Sequence, residues 1–328
     1  MDLIFTTPGT YLSVKDGMFL ITVGENKNKI SPLKTERIIV TTEAVITTAA
    51  ITLCFEYNID LLIIDTNGDP IGRFWHSKYG SITTIRRRQL EIAESGEGLA
   101  AIKEWITEKI KNQIDFIAEL AKNRPRVTDL ILEKAETIKN NLEKIKDLSG
   151  SIDENRGIIS GLEGSSSRVY FEILSDCIPE KYKFNGRSRQ PAKDPFNAFL
   201  NYAYGVMYGL VERAIVISGL DPFTGLMHTD NYNKKSLVFD IIENFRIFAD
   251  RAVFFLFSKK EINDSMFDEI VNGFTLNKEG KKHLFTEFNQ YLDTLVRYGN
   301  KNMKRRDVIQ SFCHKFANSL IKNEEDKG

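Results

Sequence analysis

The chain changes character once, at about residues 76–84. Before that point, from Leu3 to about Trp75, the apolar runs are short, rich in Thr, Ile and Val, and separated by turn signals at Pro8-Gly9, Asp16-Gly17, Asn67-Gly68 and Asp69-Pro70. β-Branched side chains fit a pleated surface, and Asp-Gly suits a two-residue hairpin because both residues tolerate positive φ. Tyr11 to Lys15 and Met18 to Val23 flank Asp16-Gly17 and predict such a hairpin. One helix is expected to interrupt the sheet at about 43–57, and Asp60 to Asp65 reads as a buried strand. Beyond Ser81 almost every segment carries a helical period and β-branched runs disappear. The expected fold class is therefore α+β, with a small β-rich N-terminal domain over 1–80 and a larger all-α domain over 81–328.

Helices are predicted at about 98–122 and 127–147, both carrying Glu and Lys at spacings that pair on a solvated face. Ser151 and Glu154 have the spacing of a capping box, so the next helix begins near 152, carries Glu163 about three turns in and continues to about Cys177. Phe196, Phe199, Leu200, Ala203, Met207 and Leu210 recur at three- and four-residue steps, which predicts a core helix over 195–218 with Gly219 as its left-handed stop. A further helix is expected over 236–257, and two or three more over 261–320.

Forty-five basic and forty-five acidic side chains cancel, so binding to a polyanion must rest on local patches. Cys54, Cys177 and Cys313 have no metal-ligand spacing and read as buried hydrophobes of a reducing compartment. The first residues lack a basic stretch followed by an apolar one, and no window reaches the roughly 18 apolar residues of a membrane span, so a cytoplasmic protein is expected.

Within the helical half, Glu163 in Gly161-Leu162-Glu163-Gly164, His228 in Gly225-Leu226-Met227-His228, and the pair Asp240 and Glu243 stand in otherwise apolar surroundings. Carboxylates and an imidazole converging there would make a divalent-metal site, and oxygen donors with one imidazole and no thiolate suit Mg²⁺ or Mn²⁺. Other readings stay open: the acidic pair on a solvated edge with Arg246 or Lys235, His228 as a structural histidine, and the small residues around Glu163 as helix packing. The segment 181–193 holds five cations, Lys181, Lys183, Arg187, Arg189 and Lys193, with two aromatics and no acid. That composition suits a loop tracking phosphates, or an ordinary soluble loop. Arg86-Arg87-Arg88 and Lys301 to Arg306 are further basic clusters that either touch a DNA backbone or balance acids. His76, His283 and His314 have no partner at a recognisable spacing, and Trp75 and Trp105 read as core or interface.

Lys193-Asp194-Pro195-Phe196-Asn197-Ala198-Phe199-Leu200-Asn201-Tyr202, then Gly219-Leu220-Asp221-Pro222, then His228, then Ser236 to Arg246, resemble in order and spacing the catalytic subunit of CRISPR spacer acquisition, a metal-dependent DNA integrase and endonuclease. The likeness is strong over about 160–250 and holds in outline for the N-terminal half. It implies Glu163, His228 and Glu243 as metal ligands for Mg²⁺ or Mn²⁺, Asp240 as an auxiliary catalytic carboxylate, and Arg246 among the residues meeting DNA. It further implies a homodimer formed through the β domains, bridged by a small second adaptation subunit, that inserts spacer DNA into a CRISPR array next to its leader. The nucleophile would be a 3′-hydroxyl for integration or water for nicking. The rivals are a metal-dependent nuclease that cuts branched or single-stranded DNA without joining, and a non-catalytic DNA-binding scaffold. The chain departs from the family's pattern at Gln190, where Pro is usual, at Ile247, where Pro is usual after Phe-Arg, and at Glu243, where Asp is frequent.

Overall fold

The computed structural model describes all residues except 58, 66–69, 75–81, 94, 126–127, 229–233 and 326–328. Trp75, His76 and the turn signals at 67–69 lie outside the described residues. The chain divides into two compact units, Met1–Gly80 and Ser81–Gly328.

The first unit contains β1 (Asp2–Phe5), β2 (Thr10–Lys15), β3 (Met18–Val23), β4 (Asn26–Ile30), β5 (Arg37–Val40), β6 (Ala44–Ile46), α1 (Thr48–Glu56), β7 (Asp60–Ile64) and β8 (Pro70–Phe74). They form two four-stranded sheets, ordered β1-β5-β7-β8 and β4-β3-β2-β6. The β2–β3 hairpin turns at Asp16 and Gly17, with φ of 55° and 68°. That is the mirror-image turn whose twist matches the strands. Leu12, Phe19, Ile38, Val40, Cys54 and Leu61 form a buried core, and the Thr47 hydroxyl caps the start of α1 by accepting from Ala50 N.

The second unit is built on α2 (Ile82–Ala93), α3 (Gly96–Lys122), α4 (Thr128–Lys146), α5 (Ile152–Asp176), α6 (Pro195–Ile217), α7 (Ser236–Ile242), α8 (Arg246–Ser258), α9 (Lys278–Asp293) and α10 (Arg305–Glu325). Helix α5 starts with the predicted capping box, in which Ser151 and Glu154 bond each other's backbone N–H. Helix α6 starts at Asp194, whose side chain accepts from Asn197 N, and stops at Gly219 with φ of 81°. Phe257 packs edge-on or tilted against Tyr182, Phe196 and Phe199 at 5.1–5.3 Å. Among the described residues, no helix is long and apolar enough to cross a membrane.

The structure differs from the sequence reading in three places. The expected helix over 236–257 is two helices: after α7 the chain takes tight turns in which Asn244 N bonds Ile241 O and Phe245 N bonds Ile242 O. The Asn244 side chain also donates to Ile241 O at 3.3 Å, offering the backbone an alternative to the helical ladder. Glu243 stands at this joint. Between and after the helices, β9 (Phe267–Ile270) pairs with β10 (Gly273–Leu276), and β11 (Leu295–Tyr298) with β12 (Lys301–Lys304). These four-residue strands are too short to show a period of two in the sequence. In the first unit, the expected helix over 43–57 contains the short strand β6 before α1 begins.

Candidate active site

Glu163 lies on α5 and Glu243 at the end of α7, yet both side chains meet one cation, the Lys109 ammonium of α3. Lys109 Nζ donates to Glu163 Oε1 and, at 2.5 Å, to Glu243 Oε2. The other Glu243 oxygen pairs with Arg246 at 2.8 Å, and Ser167 Oγ donates to Glu163 Oε1 at 2.7 Å. Lys109 and Glu243 retain only 7% and 11% of their side-chain exposure, whereas Glu163 retains 27%. Burial works to raise the Glu243 pKa, but Arg246, Lys109 and, less strongly, His228 outweigh it and hold the carboxyl at about 2. Glu243 is therefore an anion at any working pH. Burial likewise opposes the Lys109 charge, and Glu243 and Glu163 reverse that effect, leaving its pKa above the ordinary value.

Asp240 and Glu243 do not act as a side-by-side pair. The Asp240 side chain is fully buried and turns into the loop before α7, where Oδ2 accepts from Leu226 N at 2.6 Å and Met227 N at 3.1 Å. Its Oδ1 accepts from His228 N at 3.0 Å and faces His228 Nδ1 at 2.6 Å. A carboxylate only accepts, so Nδ1 carries a proton and, in the neutral ring, Nε2 keeps the lone pair through which an imidazole binds a metal. Asp240 thus shapes the loop and sets the histidine tautomer. Gly225 permits this: a Cβ there would stand 2.5 Å from Ser236 Cβ and 2.7 Å from His228 O. Arg156 of α5 ties the same loop down by donating to Met227 O.

Glu163, His228, Glu243, Lys109 and Arg246 line one cavity of about 610 Å³, with Arg187, Arg189 and Tyr204 on its wall. The helix-packing alternative holds for one of the small residues near Glu163: Ser166 is fully buried and accepts from Asn141 of α4 at 3.2 Å, whereas a Cβ at Gly157, Gly161 or Gly164 would meet nothing within 4 Å. The solvated-edge alternative for the acids also fails: Arg246 does pair with Glu243, but inside the cavity, and Lys235 pairs instead with Glu212 at 2.7 Å.

The six cations expected to meet DNA separate into two groups. Arg187 and Arg246 are drawn inward: Arg187 donates to Asn197 and to Asn201 Oδ1 at 2.8 Å, and both guanidinium groups stack on the Tyr204 ring. Arg189 lines the cavity from an exposed position. Lys181, Lys183 and Lys193 lie outside, where Lys181 pairs with Asp264 at 2.5 Å, Lys183 with Glu180 at 2.8 Å, and Lys193 bonds Asn272 O at 2.9 Å. Of the other basic clusters, Arg88 is engaged by Glu91 and Glu97, and Lys304 and Arg306 by Asp293.

Sequence reasoning missed Lys109, Arg156, Tyr204 and Asp250. Asp250 is buried, accepts from Tyr204 Oη at 2.6 Å, and has its pKa raised by burial to about 6, the Tyr204 bond opposing the rise. The signal for Lys109 was present: Ile102, Trp105, Ile106, Lys109, Gln113 and Phe116 share the buried stripe of α3, and a cation in a core position requires a partner.

Among the described residues, His, Cys, Asp and Glu side chains form no group of three poised to hold a metal ion. Glu163 and Glu243 nevertheless already converge on a cation, with the third expected donor, His228, on the same cavity wall. The donors fit a hard divalent ion in place of the ammonium.

The sequence matches the family described as CRISPR associated protein Cas1 over residues 3–290. It is 30% identical over 322 residues to the CRISPR-associated endonuclease Cas1 1 of Archaeoglobus fulgidus, covering 94% of this chain and 93% of that one. A second relative, the CRISPR-associated endonuclease Cas1 1 of Thermodesulfovibrio yellowstonii, is 32% identical over 235 residues, or 69% and 73% of the two chains. Among solved structures, a casposase bound to integration product superposes with a TM-score of 0.83 at 23% identity, covering 98% of this chain and 91% of the other. A CAS1 protein from Thermotoga maritima gives 0.81 at 23% identity, over 98% and 97% of the chains. A strand-rich unit followed by a helical one is thus the Cas1 fold. This chain belongs to the Cas1 family.

Proposed function

We propose that this chain is a metal-dependent DNA integrase and endonuclease that inserts spacer DNA into a CRISPR array by attack of a 3′-hydroxyl on a phosphodiester. The observation that carries this reading is the convergence of Glu163 and Glu243, from separate helices, on one buried cation beside an imidazole held by Asp240. Mg²⁺ or Mn²⁺ held by Glu163, His228 and Glu243 would lower the pKa of the attacking hydroxyl and neutralise charge on the scissile phosphate. The protein's own groups do the rest. Asp240 keeps the His228 lone pair on Nε2, Arg246 compensates Glu243, and the cavity cations Arg187 and Arg189 give the DNA backbone a positive wall. Lys181, Lys183 and Lys193 extend that surface outward; the exposed ion pairs of Lys181 and Lys183 and the exposed bond from Lys193 to Asn272 O are weak enough to exchange for phosphate.

Several family features come with this reading. The casposase structure is bound to an integration product, and another solved structure of the same fold is described as a Cas6-RT-Cas1–Cas2 complex. DNA and a small second subunit are accordingly the expected partners, in the cytoplasm. Homodimerisation through the strand-rich unit is supported by its exposed Tyr11, Leu33, Val45, Ile71 and Phe74. Tyr11 and Val45 stand opposite each other across β2 and β6.

One observation favours a second reading. Both glutamates already have cationic partners, as a non-catalytic DNA-binding scaffold would require. The two separate in a strand-joining assay with a 3′-hydroxyl duplex and a supercoiled repeat-bearing plasmid, with and without the second subunit, in Mg²⁺, Mn²⁺ or EDTA. Joined product that disappears in EDTA and with Glu243→Ala supports the integrase. Nicks without joining in the presence of the second subunit support the nuclease, and no product under any condition supports the scaffold.

A further inference from the structure

The metal reading leaves one residue unused at the centre of the site. Lys109 Nζ occupies the point on which Glu163 and Glu243 converge, so the ammonium and a divalent ion bridging those carboxylates exclude each other. We propose that Lys109 is a built-in competitor of the catalytic metal: it holds the two glutamates together while the site is metal-free and must withdraw before a metal ion binds. The inference rests on the assignment of Glu163 and Glu243 as metal ligands.

Three observations support it. Lys109 comes from a third helix, α3, and is the group that joins the carboxylates of α5 and α7. Its withdrawal therefore removes the shared ammonium from both at once, without a change in either glutamate's own helix, and leaves Glu243 its Arg246 partner and Glu163 its Ser167 bond. The lysine stem is long and borders a cavity of about 610 Å³, so the ammonium has space to move. An acceptor also stands on the same helix face four residues on: Gln113 lines the same cavity, is buried, and its Oε1 has no hydrogen-bond partner. A buried unsatisfied amide oxygen is costly, and it is relieved when Lys109 turns from the carboxylates toward it. The residue then has two positions, one on the glutamates and one on Gln113, and the metal selects the second.

Selection of a minor state lowers apparent affinity by the fraction of molecules in that state. With Lys109 withdrawn in about a tenth of molecules or fewer, removing it tightens metal binding by at least about tenfold. A merely structural lysine gives the opposite result, because its loss disorders the ligands. Lys109 is on this account a positioning residue, and its signature is a gain of metal affinity on mutation.

The test titrates Mn²⁺ into the full-length, DNA-free protein and follows the free-ion signal by electron paramagnetic resonance. Wild type is compared with Lys109→Met, Lys109→Gln, Gln113→Leu and Glu243→Gln, with far-UV circular dichroism confirming the fold of each. Expected results are at least about tenfold tighter binding for Lys109→Met, an intermediate gain for Lys109→Gln, which still donates to a carboxylate, and weaker binding for Gln113→Leu and Glu243→Gln. Equal or weaker binding by both Lys109 variants, with Glu243→Gln still weaker than wild type, overturns the competitor role and leaves the metal site standing. Mn²⁺ binding that is absent, or indifferent to Glu243→Gln, overturns the metal assignment and the competitor role with it.

Discussion

Asp240 is the residue whose removal most directly tests how the site is assembled. Its two oxygens accept from three backbone N–H groups, those of Leu226, Met227 and His228, and face His228 Nδ1, all within 2.6–3.1 Å. With the side chain fully buried, Asp240→Ala strands the buried Leu226 and Met227 donors at roughly 1–3 kcal/mol each and leaves the part-buried His228 N–H without its acceptor. Relaxation of the loop recovers part of that, so a loss of about 4 kcal/mol is expected, enough to move a urea midpoint by about 1 M or more. Asp240→Asn keeps one acceptor oxygen and loses the other, and should cost about half as much. Asp240→Ala also releases the His228 ring from its tautomer, which typically costs about 10–100-fold in metal affinity or activity. Urea denaturation followed by tryptophan fluorescence reads the first effect, and strand joining the second. A cost below about 1 kcal/mol for Asp240→Ala, together with wild-type joining, would refute this account of the loop.

The remaining expectations follow from equally local features. Gly225→Ala places a methyl group against Ser236 and the His228 carbonyl, so it should cost about 1–3 kcal/mol and shift the loop enough to suppress joining. Asp250, with its pKa raised from 3.8 to about 6, takes up a proton in the folded state before the unfolded chain does. It should therefore make the protein less stable as pH rises from about 4 to 6, by on the order of 2–3 kcal/mol, and Asp250→Asn should flatten that part of a urea-midpoint profile. Glu243 works in the opposite sense: its pKa falls from 4.5 to about 2, so its stabilisation is complete above about 4.5 and is lost as pH falls toward 2, a window that Glu243→Gln should remove. Ser151→Ala breaks the capping box of α5 and should cost about 1 kcal/mol without changing the reaction.

Much of the architecture was legible because it is encoded over short distances. Asp16-Gly17 specified its turn through the φ values those residues tolerate, Ser151 and Glu154 specified the start of α5, and the Phe196 to Leu210 stripe specified α6. The break after α7 was not legible, because apolar periodicity continues through Phe245, Phe248 and Ala249 while the interruption comes from Asn244 bonding its own neighbours. The two short hairpins escaped for a related reason: four residues give too little alternation to distinguish a strand from a helix end.

The sequence alone determined which side chains were chemically out of place: Glu163, His228, Asp240 and Glu243 stand in apolar text where an ionisable group requires a partner. Tertiary structure decided who the partners are. Asp240 and Glu243, three residues apart, serve different neighbours: one secures a loop, and the other meets Lys109, 134 residues away in the chain. The physical reason is that a hydrogen bond or ion pair is a condition on atomic positions, set by packing among α3, α5, α7 and α8, and a linear sequence states burial patterns but not those distances.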